Sequence, residues 1–119
     1  MFTLEDDGGR LIADGGPGDD ELVTDGFPVV LRAFMFASGG PGNDLIRGTS
    51  GRDRIAGGSG DDVLSGDYGQ DRLRGGTGGD RLFGYGGRDS LIGQDGDDRA
   101  DGGGHRDSCR AEKKLSCEA

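Results

Sequence analysis

Aspartate recurs at a constant spacing through most of the chain. Asp44, Asp53, Asp62, Asp71, Asp80, Asp89, Asp98 and Asp107 follow one another at nine-residue intervals, and each is preceded by glycines. Asp20 stands in the same local setting, GGPGDDELV, further upstream. Glycine turns can aim several backbone carbonyl oxygens at one point, and a carboxylate arriving at that point completes an all-oxygen ligand set. Such a set suits calcium, which accepts loose geometry; magnesium demands a near-ideal octahedron, and transition metals favour nitrogen and sulfur. One histidine and two cysteines leave little material for a zinc site or a Cys/His catalytic pair. His105 reads as an exposed turn residue. Glycine-rich turns also cradle phosphate, but no Lys-Ser/Thr follows any of these, and the aspartates would repel an anion.

The aspartates belong to longer units. From Gly39 the chain reads GGPGNDLIR, GTSGRDRIA, GGSGDDVLS, GDYGQDRLR, GGTGGDRLF, GYGGRDSLI, GQDGDDRAD and GGGHRDSCR without insertion, ending at Arg110. Glycine opens every unit, and the fourth place is glycine in all but the last. The sixth place is always aspartate. The eighth holds Ile46, Ile55, Leu64, Leu73, Leu82, Leu91, Ala100 and Cys109. Units starting at Gly39, Gly57 and Gly75 keep a second glycine, whereas those at Gly48, Gly66 and Gly84 carry Thr49, Asp67 and Tyr85 there; the last two units, with Gln94 and Gly103, break that alternation. The alternation suggests a coil of two non-equivalent units.

The elements that must position these residues follow from the same pattern. The last three places of each unit predict a short strand with its eighth residue turned inward, because strand side chains alternate. Strands so short need stacking, so the units predict a parallel β-solenoid with a thin Ile/Leu column inside. Composition agrees that no ordinary core exists: 28 of 119 residues are glycine, 30% are hydrophobic, and tryptophan is absent. Low hydrophobicity with excess charge usually signals disorder, but disorder does not require phase. A formal net charge of −9 excludes a nucleic-acid surface, which must be cationic. No apolar run is long enough to span a membrane. Aspartates stacked one coil apart would repel one another, and six dications would more than offset the net charge.

GGSGDDVLS and GGTGGDRLF resemble the GGxGxDxUx nonapeptide of the repeats-in-toxin (RTX) family, and the resemblance runs from Gly39 to Arg110 with one further unit at Gly15. It implies an all-β fold, a parallel β-roll with two nonapeptides per coil, and calcium held between alternate units. The implied ligands are Asp20, Asp44, Asp53, Asp62, Asp71, Asp80, Asp89, Asp98 and Asp107, with turn carbonyls such as those of Gly57, Gly60, Gly75 and Gly78. Pairing 44/62, 62/80, 80/98, 53/71, 71/89 and 89/107 gives about six calcium ions in the contiguous array. The substitutions at Thr49, Asp67, Tyr85 and Gln94 leave backbone carbonyls in place; His105 puts the last site in question.

The expected organisation has three parts. Residues 1–38 comprise a degenerate repeat, the isolated unit and an apolar segment; 39–110 form the eight-repeat roll; 111–119 close its C-terminal end. The unit at Gly15 lies 24 residues before Gly39, which is not a multiple of nine. The intervening apolar stretch, with Phe27, Phe34, Met35 and Phe36, is expected to cover the N-terminal end of the solenoid; the alternative is a docking patch at 27–36 for a protein or cell-surface partner. A Cys109–Cys117 disulfide would close a nine-residue loop, worth about 2.5 kcal/mol on the chain-entropy estimate, and two buried thiols are the alternative. The arginines at places five, seven and nine are expected to be solvated flanks offsetting the aspartates, and Tyr68 and Tyr85 to be surface residues.

A secreted or cell-surface location is expected, because turn-built sites fill at extracellular calcium and a disulfide needs an oxidising compartment. MFTLEDDGGR lacks the basic start and apolar core of a signal peptide. The leading expectation is a non-enzymatic calcium-binding module that folds on meeting the ion. The alternatives are the repeat tail of a secreted toxin or hydrolase whose catalytic domain lies elsewhere, since HExxH and GxSxG are both missing, or an adhesin-type binding module.

Overall fold

A computed structural model describes residues 3–6, 10–23, 34–104, 107–111, 113–115 and 117. Each glycine turn reverses the chain and each apolar eighth place starts it along the next face, so the chain winds through thirteen strands. These are β1 (Thr3–Asp6), β2 (Arg10–Asp14), β3 (Glu21–Val23), β4 (Phe34–Pro41), β5 (Leu45–Arg47), β6 (Asp53–Ser59), β7 (Val63–Ser65), β8 (Arg72–Thr77), β9 (Arg81–Phe83), β10 (Ser90–Asp95), β11 (Arg99–Asp101), β12 (Ser108–Arg110) and β13 (Lys113–Leu115). They form two sheets, β1-β2-β4-β6-β8-β10-β12 and β13-β11-β9-β7-β5-β3. Successive strands along the chain fall in opposite sheets from β2 to β13, so one coil consumes two nonapeptides. All pairings are parallel except β1 with β2. The result is a parallel β-roll with no helix among the described residues, and therefore none long and apolar enough to cross a membrane.

Register places the eighth residues in two facing columns. Ile55, Leu73, Leu91 and Cys109 stack on one sheet. Leu22, Ile46, Leu64, Leu82 and Ala100 stack on the other. Every aliphatic member of both columns is buried, each Ile or Leu contributing about 1.5–3 kcal/mol by leaving water.

The two sheets are not alike, which the uniform nine-residue reading did not anticipate. Strands of the second sheet keep three residues, but β6 runs on through Gly57-Gly58-Ser59 and β8 through Gly75-Gly76-Thr77. The extension pairs Gly58 with both Gly40 and Gly76. At Gly58 φ is +103°, and a β-carbon there would stand 2.5 Å from the Gly40 carbonyl oxygen. At Gly58 only glycine allows that approach, although Gln94 takes the equivalent place opposite Gly76 on β10. Asp67, Tyr85 and Gln94 hold the same place with φ of +64°, +64° and +75°, a left-handed conformation that costs a side-chain-bearing residue energy.

Residues 34–38 do not cover the end of the solenoid. They belong to β4, which lies inside the sheet between β2 and β6. Counting back nine from Asp44 reaches Met35, which is fully buried, and nine from Ile46 reaches Ala37: this is a degenerate unit whose side chains, rather than its chemistry, fit the stack. Residues 24–33, with Phe27 and the rest of the apolar stretch, lie outside the described residues, as does His105. At the other end β13 adds to β11, and a disulfide joins Cys109 on β12 to Cys117, with Cα atoms 5.9 Å apart.

Candidate metal centre

The sixth-place aspartates all point into the roll. Asp20, Asp44, Asp53, Asp62, Asp71, Asp80, Asp89, Asp98 and Asp107 are each at most 5% exposed. They stand at the ends of the glycine turns, one row along each edge of the roll. On one edge Oδ1 of Asp44 accepts the N–H of Asp20 at 2.9 Å, Asp62 that of Asp44 at 2.8 Å, Asp80 that of Asp62 at 2.9 Å, and Asp98 that of Asp80 at 2.8 Å. On the other edge Asp71, Asp89 and Asp107 accept from Asp53, Asp71 and Asp89 at 2.8–2.9 Å. Asp20 therefore continues the first row across the 24-residue interval, a link that spacing alone hid.

Each carboxylate has a second oxygen to account for. Oδ2 of Asp44, Asp62, Asp71 and Asp80 is buried and receives no hydrogen bond. Leaving an anionic oxygen dry and unpartnered is expensive. Burial accordingly pushes the carboxyls up from the usual 3.8: Asp62 to about 6, Asp80 to about 7 and Asp71 to about 8. The neighbouring aspartates one coil away, Asp53 and Asp89 around Asp71 and Asp62 and Asp98 around Asp80, raise them further.

Backbone oxygens stand close by. A β-carbon on Gly57 would overlap Asp62 Oδ2 and lie 2.7 Å from the Gly75 carbonyl oxygen; one on Gly39 would meet Asp44 Oδ2 and the Gly57 carbonyl at 2.6 Å. The opening glycine thus leaves a space bounded by its own unit's carboxylate and by the opening carbonyl one coil further on. Gly84 repeats this with Asp89 and Gly102, and Gly15 with Asp20 and Gly39. The carbonyls of Gly60 and Gly78 lie instead against the fourth-place glycines of the next coil, Gly78 and Gly96. Among the described residues no three His, Cys, Asp or Glu side chains converge, so an ion here would be held by carboxylates from adjacent coils together with carbonyls. A hard dication fits this donor set, since every candidate atom is oxygen and the dry oxygens are anionic.

Asp53 departs from the pattern. The Thr49 N–H donates to its Oδ2 at 2.7 Å, and the Thr49 hydroxyl to its Oδ1 at 2.8 Å. Met35 N–H also donates to Oδ1, at 3.1 Å. Its carboxyl is still raised, to about 6, because burial outweighs those bonds. Sequence reasoning missed Thr49 and Met35 as determinants of this end of the row. The signals were present in the lone second-place threonine and in the methionine where phase demands aspartate.

The comparisons with known proteins agree with this architecture. The profile described as the RTX calcium-binding nonapeptide repeat (4 copies) matches residues 38–73 and again 74–109, more than half of the chain. The chain belongs to the RTX calcium-binding nonapeptide repeat family, whose repeats bind calcium. No curated protein and no solved structure matches it.

Proposed function

We propose that the chain is a non-catalytic extracellular module that folds around calcium. The observation that carries this reading is the row of buried carboxylate oxygens without donors at Asp44, Asp62, Asp71 and Asp80: once ionised, these positions call for a cation. Each ion would sit between aspartates one coil apart, assisted by opening carbonyls such as those of Gly57 and Gly75. Gly60 and Gly78 carbonyls would contribute from the far side of the turn. Pairing along the two rows gives the six sites of the contiguous array, and the Asp20–Asp44 hydrogen bond supports a seventh. Residues 39–110 would be the working roll, flanked by an N-terminal part, 1–38, and a C-terminal closure, 111–119. Calcium supplies the charge that lets two carboxylates share a buried site; the chain supplies turns without β-carbons in the way.

The disulfide supports an oxidising, extracellular setting. The experiment is far-UV circular dichroism of the purified chain, titrated with calcium from a chelated start and with magnesium as control. A cooperative gain of β structure with calcium and none with magnesium is expected. A spectrum already folded in chelator, and unchanged by calcium, would sink the proposal.

A further inference from the structure

We propose that Thr49 holds Asp53 in a closed turn, with its own donors in the place of a cation, so that the 53/71 site is the weakest of the array and the last to fill. The inference rests on the calcium reading and goes beyond it. Sites that the repeat makes look equivalent become ranked, and one residue outside the ligand set ranks them.

The backbone of this turn is unlike the others. From Gly16 to Gly103 the remaining second-place residues have φ between +64° and +105°, side-chain-bearing Asp67, Tyr85 and Gln94 included. Among the described residues only Thr49 holds that place without a positive φ. The fourth-place glycines from Gly18 to Gly96 run between +95° and +123°, but Gly51, in the Thr49 unit, is not among them. A β-branched residue is poorly suited to a left-handed backbone, and threonine builds a different turn instead. Its Oγ1 accepts the Gly51 N–H at 3.1 Å and donates to Asp53 Oδ1 at 2.8 Å, the local hydroxyl bonding by which Ser and Thr shape turns. In the turn so built, the Thr49 N–H reaches Asp53 Oδ2 at 2.7 Å. Thr49 and Asp53 are both buried, so water does not compete for these bonds.

The consequence falls on one site. Oδ2 of Asp44, Asp62, Asp71 and Asp80 receives no hydrogen bond, and at Asp44 and Asp62 it lies beside the opening carbonyl of the next coil, that of Gly57 or Gly75. Gly48 leaves a matching space, bounded by Asp53 Oδ2 and by the Gly66 carbonyl oxygen, 3.0 Å from where a β-carbon would stand. The oxygen donors are therefore present at 53/71. What differs is that Asp53 Oδ2 is already taken, and Oδ1 accepts from Met35 N–H as well as from the threonine hydroxyl. Met35 pairs in register with Asp53 and brings no carboxylate, so Asp53 ends its row, and there protein donors compensate the charge. Hydrogen bonds to an ionised acceptor are the strong ones. Filling 53/71 requires the Thr49 N–H to leave Oδ2, and a buried N–H without an acceptor is costly.

The test is calcium titration of the full chain by isothermal calorimetry, with amide NMR to follow Thr49. One ion should bind at least tenfold more weakly than the rest, a gap of about 1.4 kcal/mol. Once the tighter sites are filled and the roll is folded, the Thr49 amide signal should shift again as the last ion binds. Thr49→Gly restores the residue found at Gly40, Gly58 and Gly76 and should bring that ion into the tight class. Thr49→Ser keeps the hydroxyl and the amide and should keep the weak site. The control Tyr85→Gly makes the same replacement two coils further along this edge, where φ is already positive, and should leave the distribution of ions as in the parent. Equivalent sites in the parent, a weak ion retained in Thr49→Gly, an equal change with Tyr85→Gly, or a Thr49 amide unmoved by the last ion would each overturn the proposal. If Thr49→Gly fails to fold, the amide signal of the parent decides. Calcium held at equivalent sites sinks this inference alone, whereas no calcium binding sinks the reading beneath it as well, so the two failures are distinguishable.

Discussion

Asp71→Asn should have opposite effects with and without calcium. Asp71 lies between Asp53 and Asp89 in its row, and its Oδ1 accepts the Asp53 N–H at 2.8 Å while Oδ2 is dry. Asparagine keeps an acceptor oxygen for that bond and removes the charge. In chelator above pH 8, where Asp71 is ionised, this relieves a buried unsatisfied anion, a penalty of about 1–3 kcal/mol, so the metal-free variant should be the more stable there by that amount, or roughly 4 °C or more in melting temperature per kcal/mol. With calcium the sign reverses, because the proposed 53/71 and 71/89 sites both lose a carboxylate. A tenfold weakening at each would correspond to about 1.4 kcal/mol per site. Thermal melts in chelator and in millimolar calcium, with calcium stoichiometry by calorimetry, measure both arms. Equal destabilisation in the two buffers would refute the reasoning, since the carboxylate would then act only as a hydrogen-bond acceptor.

Four further outcomes are expected. Without metal, the pH dependence follows from carboxyls raised to about 6, 6, 7 and 8 at Asp53, Asp62, Asp80 and Asp71: their protonated forms favour folding below the unfolded value, and that stability is lost as pH rises through the folded values, so the chelated chain should show more β structure near pH 5 than near pH 9. Calcium should bind with proton release in that window, which calorimetry in buffers of different ionisation enthalpy detects; no proton release would count against the carboxylates as ligands. Gly58→Ala, at φ +103° and 2.5 Å from the Gly40 oxygen, should lower the calcium-loaded melting temperature by the equivalent of more than 1 kcal/mol, whereas an alanine at exposed Gly104, where a β-carbon meets nothing, should cost much less. Reducing the Cys109–Cys117 bridge should remove about 2.5 kcal/mol and raise hydrogen exchange first in β12 and β13; uniform exchange along the roll would show that the bridge does not act locally.

The local chemistry of the chain was legible from its residues. Glycine at the first, second and fourth places, aspartate at the sixth and an aliphatic residue at the eighth state where turns, carboxylates and the core column fall, because each of those needs is met within nine residues. The alternation of Gly58 and Gly76 with Asp67 and Tyr85 even announced the two-unit coil. What could not be read locally were relations between coils. That β6 and β8 continue through paired glycines while β7 and β9 stop depends on which backbone lies alongside, 18 residues away.

The N-terminal third shows the same division. Read along the chain, 24 residues between Gly15 and Gly39 break the phase; in three dimensions Asp20 donates to Asp44 as if nothing intervened. Extra residues between two stacked units cost the array little, because the entropy of loop closure grows slowly with length. Met35 occupies an aspartate's place because the stack there asks for a backbone N–H toward Asp53 and a buried volume, and methionine provides both. Sequence determined the repeat, the fold class and the row of carboxylates, since those follow from the conformational and chemical limits of single residue types. Tertiary structure alone decided which carboxylate oxygens lie dry and that Met35 and Thr49 together satisfy Asp53, since each depends on atoms brought together from different coils.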